Sequence, residues 1–205
     1  TKRRFMLQTI EGGGWGGRPT EDGESGSVSV CQGDVRNCSI EGTEMKVPVI
    51  IKRRGLRTDS GGAGKYRGGL GIDFEVRNLM EGRWALRQPK RKECPAWGLW
   101  NGEAGEKGDY RVKMGGENDY KSHEAFVRAV PANTEVIAQH PGGGGWGDPL
   151  ERDAQSVAWD VVEELVSREG ARQHYGVVLK SDLSLDVEAT NKLRQEMKAK
   201  RPVAA

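Results

Sequence analysis

Leu56-Arg57-Thr58-Asp59-Ser60-Gly61-Gly62-Ala63-Gly64-Lys65-Tyr66-Arg67-Gly68-Gly69-Leu70-Gly71 leads straight into Ile72-Asp73-Phe74-Glu75-Val76. Glycine at this density removes the side chains that would pack a helix and permits close backbone approach. The second part alternates apolar Ile72, Phe74 and Val76 with acidic Asp73 and Glu75, the pattern of a half-buried strand. Together the two halves predict a glycine loop followed by a half-buried strand.

Working outward, other short strands are expected. They lie over residues 5–10, around Val28 and Val30, over residues 47–51, at residues 84–86 and over residues 127–130 and 135–138. Pro48 predicts that the third of these is an edge strand or begins after the proline. Residues 84–86 are expected to pair with the Ile72 strand across a turn at Glu81-Gly82, and residues 95–108 read as a long loop. The segment Gly12-Gly13-Gly14-Trp15-Gly16-Gly17-Arg18-Pro19 is echoed by Gly142-Gly143-Gly144-Gly145-Trp146-Gly147-Asp148-Pro149. Two copies are too few for a solenoid. Each supplies backbone N–H groups that can form a concavity for an anion or a carbonyl oxygen, and each equally suits a tight structural crossing beside a packed Trp.

Beyond Gly147 the pattern changes. Asp153 can cap a helix carrying Val157, Ala158, Val161, Val162 and Leu165, and Ser167 can cap a second one ending near Gly176. Asp186 can cap a third, with Ala189, Leu193 and Met197 four apart. The expected fold is α+β: a β-rich glycine-loop body over residues 1–150 and a helical C-terminal segment over 151–205 packed on it.

The 205 residues contain 30 glycines, and 32 basic groups against 30 acidic ones leave a net charge of +2. That balance argues against a nucleic-acid partner, although Arg83, Arg87, Lys90, Arg91 and Lys92 form a local basic cluster near Trp84 and Trp97. Three cysteines imply no disulfide framework. Cys31 is expected to be packed in a strand, and Cys38 and Cys94 have no zinc spacing either. The longest apolar runs are far short of a membrane span, and no apolar leader follows Lys2-Arg3-Arg4. A cytoplasmic protein with no membrane association is expected.

Residues 56–71 resemble the signature of the hydantoinase B family. That family includes the B-type component of N-methylhydantoinase, half of ATP-dependent 5-oxoprolinase and the large subunit of acetone carboxylase. Residues 141–153, Val166-Ser167-Arg168-Glu169 and Tyr175-Gly176-Val177 are similar to its C-terminal signature. Residues 11–23, Asn37, Glu41, Glu44, Pro48 and Pro95-Ala96-Trp97-Gly98 also fit. Cys38-Ser39 and Trp100-Asn101-Gly102 depart from the pattern, the latter standing where the family tends to have a double glycine. The resemblance reaches only the C-terminal part of the much longer family chains. It implies a subunit or fragment of an ATP-dependent amidohydrolase acting on hydantoin, N-methylhydantoin, 5-oxoproline or a related lactam. The alternatives are a subunit of an ATP-dependent ketone carboxylase and a non-catalytic assembly subunit. It also implies a hydantoinase A-type partner that uses ATP, a chain supplying the N-terminal part, and a divalent metal held outside this chain.

The residues themselves carry no phosphate-binding Gly-x-x-x-x-Gly-Lys-[Ser/Thr] spacing, and no cofactor or metal is expected on this chain. Arg57, Lys65 and Arg67 bracket the loop of Gly61, Gly62 and Gly64 and suit a phosphorylated or planar oxygen pair; the two arginines can equally pair with Asp59 to tie the loop. His140, next to the second Gly-Trp segment, is the best acid–base candidate among three histidines. Asp59, Arg67 and His140 are therefore the expected catalytic residues. Arg57, Lys65, Glu41, Glu44 and Asp22 are the expected substrate contacts, each with a plain structural alternative in a salt bridge or solvated face.

Overall fold

The structure is a computed structural model and describes residues 5–28, 38–87 and 91–200. A short helix α1 (Ile40–Glu44) precedes strands β1 (Val49–Leu56), β2 (Ile72–Asn78), β3 (Gly82–Leu86), β4 (Asp109–Lys113), β5 (Lys121–Ser122), β6 (Phe126–Val130) and β7 (Glu135–Gln139). A 3₁₀ turn (Pro149–Glu151) leads to helices α2 (Ala154–Val162), α3 (Arg168–Tyr175) and α4 (Val187–Lys200). The fold is α+β, a multi-stranded sheet core with C-terminal helices.

One sheet has the order β1-β2-β7-β4-β5, antiparallel throughout. Alternation decides its buried face. Ile51, Phe74, Val112, Val136 and Ala138 form one core, and Trp84, Leu86 and Phe126 from a separate β3–β6 ribbon pack against it. The strand β1 begins after Pro48 and lies at the sheet edge, where a proline costs no ladder hydrogen bond. A bulge between Ile51 and Arg53 resets its register. On the opposite face Glu135 gathers Lys52 at 2.6 Å, Lys113 at 3.3 Å and the hydroxyl of Tyr120.

Two strand expectations differ from the structure. Residues 84–86 pair with β6, not with the Ile72 strand, because both edges of β2 are already occupied by β1 and β7. Residues 5–10 form no strand, and Met6 is 90% exposed. Ser27 makes a single bridge to Gly13, while Val30 and Cys31 lie outside the described residues.

The glycine segments form a second body with no regular strands. Residues 12–17, 23–26, 61–71, 96–105 and 142–147 run beside one another as extended threads joined by backbone hydrogen bonds. The two echoed Gly-Trp segments are neighbours: Gly14 N donates to Pro141 O at 2.9 Å and Gly17 N to Gly144 O at 2.8 Å. Glycine is needed there for proximity. A Cβ on Gly14 would overlap the carbonyl oxygen of Gly69, and one on Gly143 that of Trp15. At the departure from the family pattern, Trp100 and Asn101 have φ of 53° and 70°, and Gly102 N donates to Leu99 O at 3.0 Å. This is a turn with two left-handed central residues, which explains why glycines are favoured at that place.

The helical segment packs on the threads through Ala63, Val157, Val161, Val166, Ala171, Tyr175 and Val177. Its caps are those expected. Asp153 accepts from Ser156 N at 2.8 Å, Ser167 from Gly170 N at 2.9 Å and Asp186 from Ala189 N at 3.0 Å. Gly176 ends α3 at φ 61°. The stretch after it contributes one bridge, Leu179 to Leu185.

Candidate functional site

Two polar features stand out where the threads meet the rest of the chain. The first is a buried charge cluster. Arg152, placed by the 3₁₀ turn after the second Gly-Trp segment, reaches Asp22 at 2.6 and 2.7 Å and Asp160 of α2 at 2.8 Å. Arg67 lies 3.7 Å from the same Asp160 carboxylate, donates to Gly68 O at 2.8 Å and, through its own N–H, binds Asp22 at 2.7 Å. Two arginines and two aspartates make an electroneutral set, the condition under which burying charge is tolerable. Burial raises the Asp22 carboxyl, but its hydrogen bond to Arg152 and the fields of both arginines outweigh this and hold it below the usual range. Burial pushes Asp160 up against the pull of the same arginines. The Tyr175 hydroxyl, buried beside the cluster and without a hydrogen-bond partner among the described residues, is also pushed up by burial.

The second feature is a cleft of about 470 Å³ between the two Gly-Trp threads and the loop of residues 95–108. Trp15, Trp97, Arg18, Arg91 and the run Gly142, Gly143 and Gly144 are among the residues that line it. The Arg91 guanidinium lies 5.9 Å from the Trp97 ring centroid, and Arg18 is shared by Glu21 at 3.3 Å and Glu24 at 3.4 Å.

The expected site residues are distributed between these and other places. Asp22 and Arg67 come together in the charge cluster. Asp59, at φ 61°, accepts from Ser167 N at 2.7 Å and so fastens the signature loop to the start of α3. It ties neither Arg57 nor Arg67. The Arg57 side chain donates to Lys107 O at 2.7 Å and His140 O at 3.4 Å, and lies 3.8 Å from Glu106. His140 is buried, edge-on to Tyr110 at 5.6 Å between centroids. Lys65 reaches Glu151 at 3.7 Å. Glu44 accepts from Ile51 N at 2.7 Å, holding α1 to β1, and Glu41 is exposed on α1. Of the expected residues only glycines, among them Gly14 and Gly142, line the cleft. Among the described residues no group of three or more His, Cys, Asp or Glu is placed to hold a metal ion, and no helix is long and apolar enough to cross a membrane.

Sequence reasoning missed Arg152, Asp160 and Tyr175, and it read Arg91 only as part of a basic patch. Arg152 sits between Glu151 and Asp153, which looks like a solvated turn, and its partner Asp22 is 130 residues away. The Gly-Trp echo was the one signal that pointed to the cleft.

The fold and these features define a protein in which a body of hydrogen-bonded glycine threads is joined to an antiparallel sheet and C-terminal helices. The profile described as Hydantoinase B/oxoprolinase matches residues 1–149, and the chain belongs to that family. It is similar to the B-type component of a putative D-/L-hydantoinase from Pseudomonas sp. (strain NS671), 31% identical over 193 residues that cover 93% of this chain and 32% of that protein. It is 38% identical over 170 residues to the beta chain of caprolactamase from Pseudomonas jessenii, covering 78% of this chain and 28% of the relative. The crystal structure of ATP-dependent caprolactamase from the same species superposes with a TM-score of 0.75 at 34% identity, over 89% of this chain and 32% of the other. The chain thus spans about a third of the length of these relatives.

Proposed function

We propose that the chain is part of a B-type component of an ATP-dependent amidohydrolase that opens a cyclic amide such as a hydantoin, 5-oxoproline or another lactam. ATP would be used by a hydantoinase A-type partner. The observation that carries this reading is similarity at 31% and 38% identity to proteins named for hydantoin and caprolactam, both cyclic amides. The amide carbonyl of such rings is a poor electrophile. Phosphorylating its oxygen provides a leaving group and makes attack by water feasible, and transition-state charge is then met by preorganised donors. In this reading Arg67, Asp22 and Asp59 are positioning residues that hold the threads and helices in register. His140 is retained as the acid–base candidate.

The test is reconstitution with an A-type partner and the remaining B-type portion, followed by assays of ATP-dependent ring opening and of ketone carboxylation. Ring opening that depends on this chain supports the proposal. Carboxylation without ring opening replaces it with the carboxylase reading. In the active complex, turnover that survives His140→Gln removes His140 from the chemistry.

A further inference from the structure

The glycine threads repeat every three residues, and beside the cleft two of their amides, those of Gly16 and Gly144, have no acceptor among the described residues. Along residues 142–147, Gly142 and Gly145 donate to Glu106 O at 3.1 Å and Glu103 O at 2.9 Å. Gly143 and Trp146 donate to Gly69 O and Tyr66 O, both at 2.9 Å. The acceptors recede by three as the donors advance by three, the signature of an extended helix with three residues per turn. The third series has one bond, Gly147 N to Leu99 O at 2.9 Å. The 96–99 thread runs parallel to this one, with Leu99 bridged to Trp146, so Gly144, one repeat earlier, faces Ala96, and no described residue accepts its N–H.

The first thread shows the same omission. Gly14 and Gly17 donate to Pro141 O and Gly144 O, and Trp15 and Arg18 donate to Glu24 O and Glu21 O. Gly13 N donates to Ser27 O at 3.2 Å, on the thread that Trp15 and Arg18 also use, and Gly16 N has no acceptor among the described residues. Both Gly16 and Gly144 line the 470 Å³ cleft. Gly144 is buried and Gly16 is exposed. The cleft also has a cation to spare. Arg18 is balanced by Glu21 and Glu24, whereas Arg91 has the Trp97 ring as its contact and no carboxylate within ion-pair distance among the described residues.

We propose that this cleft is an oxyanion-binding site for a small molecule. Its carboxylate or phosphoryl oxygens would take the N–H groups of Gly16 and Gly144 and the Arg91 guanidinium, and its flat body would lie against Trp15 and Trp97. The volume suits a small ligand. Oriented backbone donors with an arginine are the usual means of holding such a group. The site is independent of the reaction proposed above, so its failure would leave the family assignment and the amidohydrolase reading in place.

The test uses the full chain, in its complex where co-expression is needed, labelled with 5-fluorotryptophan and followed by ¹⁹F NMR. Benzoate and phenyl phosphate are the anionic probes and benzyl alcohol the neutral one. The Trp15 and Trp97 resonances are expected to shift saturably with at least one anion. Benzyl alcohol should bind at least 10-fold more weakly, and Arg91→Gln should weaken the anion at least 10-fold. Whichever anion binds more tightly identifies the headgroup. Trp159, which is 61% exposed on α2, is the internal control. The proposal is overturned if neither anion binds, if benzyl alcohol binds as well, if Trp159 shifts in parallel, or if Arg91→Gln changes nothing.

Discussion

The sheet and the glycine threads solve the same problem, pairing buried backbone, by opposite means. The sheet spaces its strands and fills the gap with side chains such as Phe74, Val112 and Val136. The threads discard side chains and let backbone meet backbone. The first arrangement tolerates substitution that conserves volume. The second tolerates none at its closest crossings, such as Gly14 and Gly143, because the atom in the way is a carbonyl held by its own hydrogen bonds. The sharpest test sets one glycine of each kind side by side. Gly14→Ala is expected to cost more than about 4 kcal/mol, the range reserved for severe clashes, or to prevent folding. Gly55→Ala on edge strand β1, where a Cβ meets nothing within 4 Å, is expected to be neutral or to stabilise by about 0.5–1 kcal/mol. Denaturant titration of both variants measures the contrast, and equal effects would break the comparison.

A second way to sharpen it concerns the seam between threads and helices, which is held by charge. Arg152 is buried and serves Asp22 of one thread and Asp160 of α2 at once. Removing it leaves Asp22 and Asp160 with Arg67 alone to balance them, a net negative charge at a buried place. Arg152→Met is expected to destabilise by about 3–5 kcal/mol, the cost of breaking a buried pair from one side. The double variant Arg152→Met, Asp22→Asn should recover part of that loss, because it leaves Arg67 and Asp160 as a balanced pair. A double variant no more stable than the single one would assign Arg152 to packing rather than to charge.

How far each region was legible follows from the same contrast. The alternation of Ile72, Phe74 and Val76 and the caps Asp153, Ser167 and Asp186 are local patterns, readable because each depends on neighbours within a turn or a strand. The partner of β3 is a long-range choice set by which sheet edges are already filled, and no local pattern records it. The threads are visible as composition, yet glycine has no side-chain pattern from which to read which thread lies beside which. Only the Gly-Trp echo, whose two copies prove to be neighbours, hinted at it. The alternative pairing of Asp59 with Arg57 and Arg67 was read from sequence neighbours, whereas Asp59 holds Ser167, 108 residues away. The cleft shares that limit, since it is built from residues near 16, 91, 97 and 144.

The smallest expected effect lies at the outer end of the same seam, where a single ionisable contact joins α3 to the long loop. His174 Nδ1 lies 2.6 Å from Glu103 Oε2, and its side chain is 47% exposed. The hydrogen bond to Glu103 raises the imidazole pKa, burial opposes this, and the Glu103, Asp59 and Glu106 charges add to the rise. A group whose folded pKa is raised adds stability that is complete below its unfolded pKa, about 6.5. That contribution is lost as the pH rises through the folded value. Solvent screening limits a pair this exposed to at most about 1 kcal/mol. In a chain of this size that corresponds to a midpoint change of no more than about 2–4 °C. His174→Gln should therefore lower the thermal midpoint at pH 5.5 and leave it nearly unchanged at pH 9. Glu103→Gln should do the same, and the double variant should add nothing further, because both remove one interaction. An equal loss at both pH values would show that His174 acts by its shape, and the charge account of this seam would then end at Arg152.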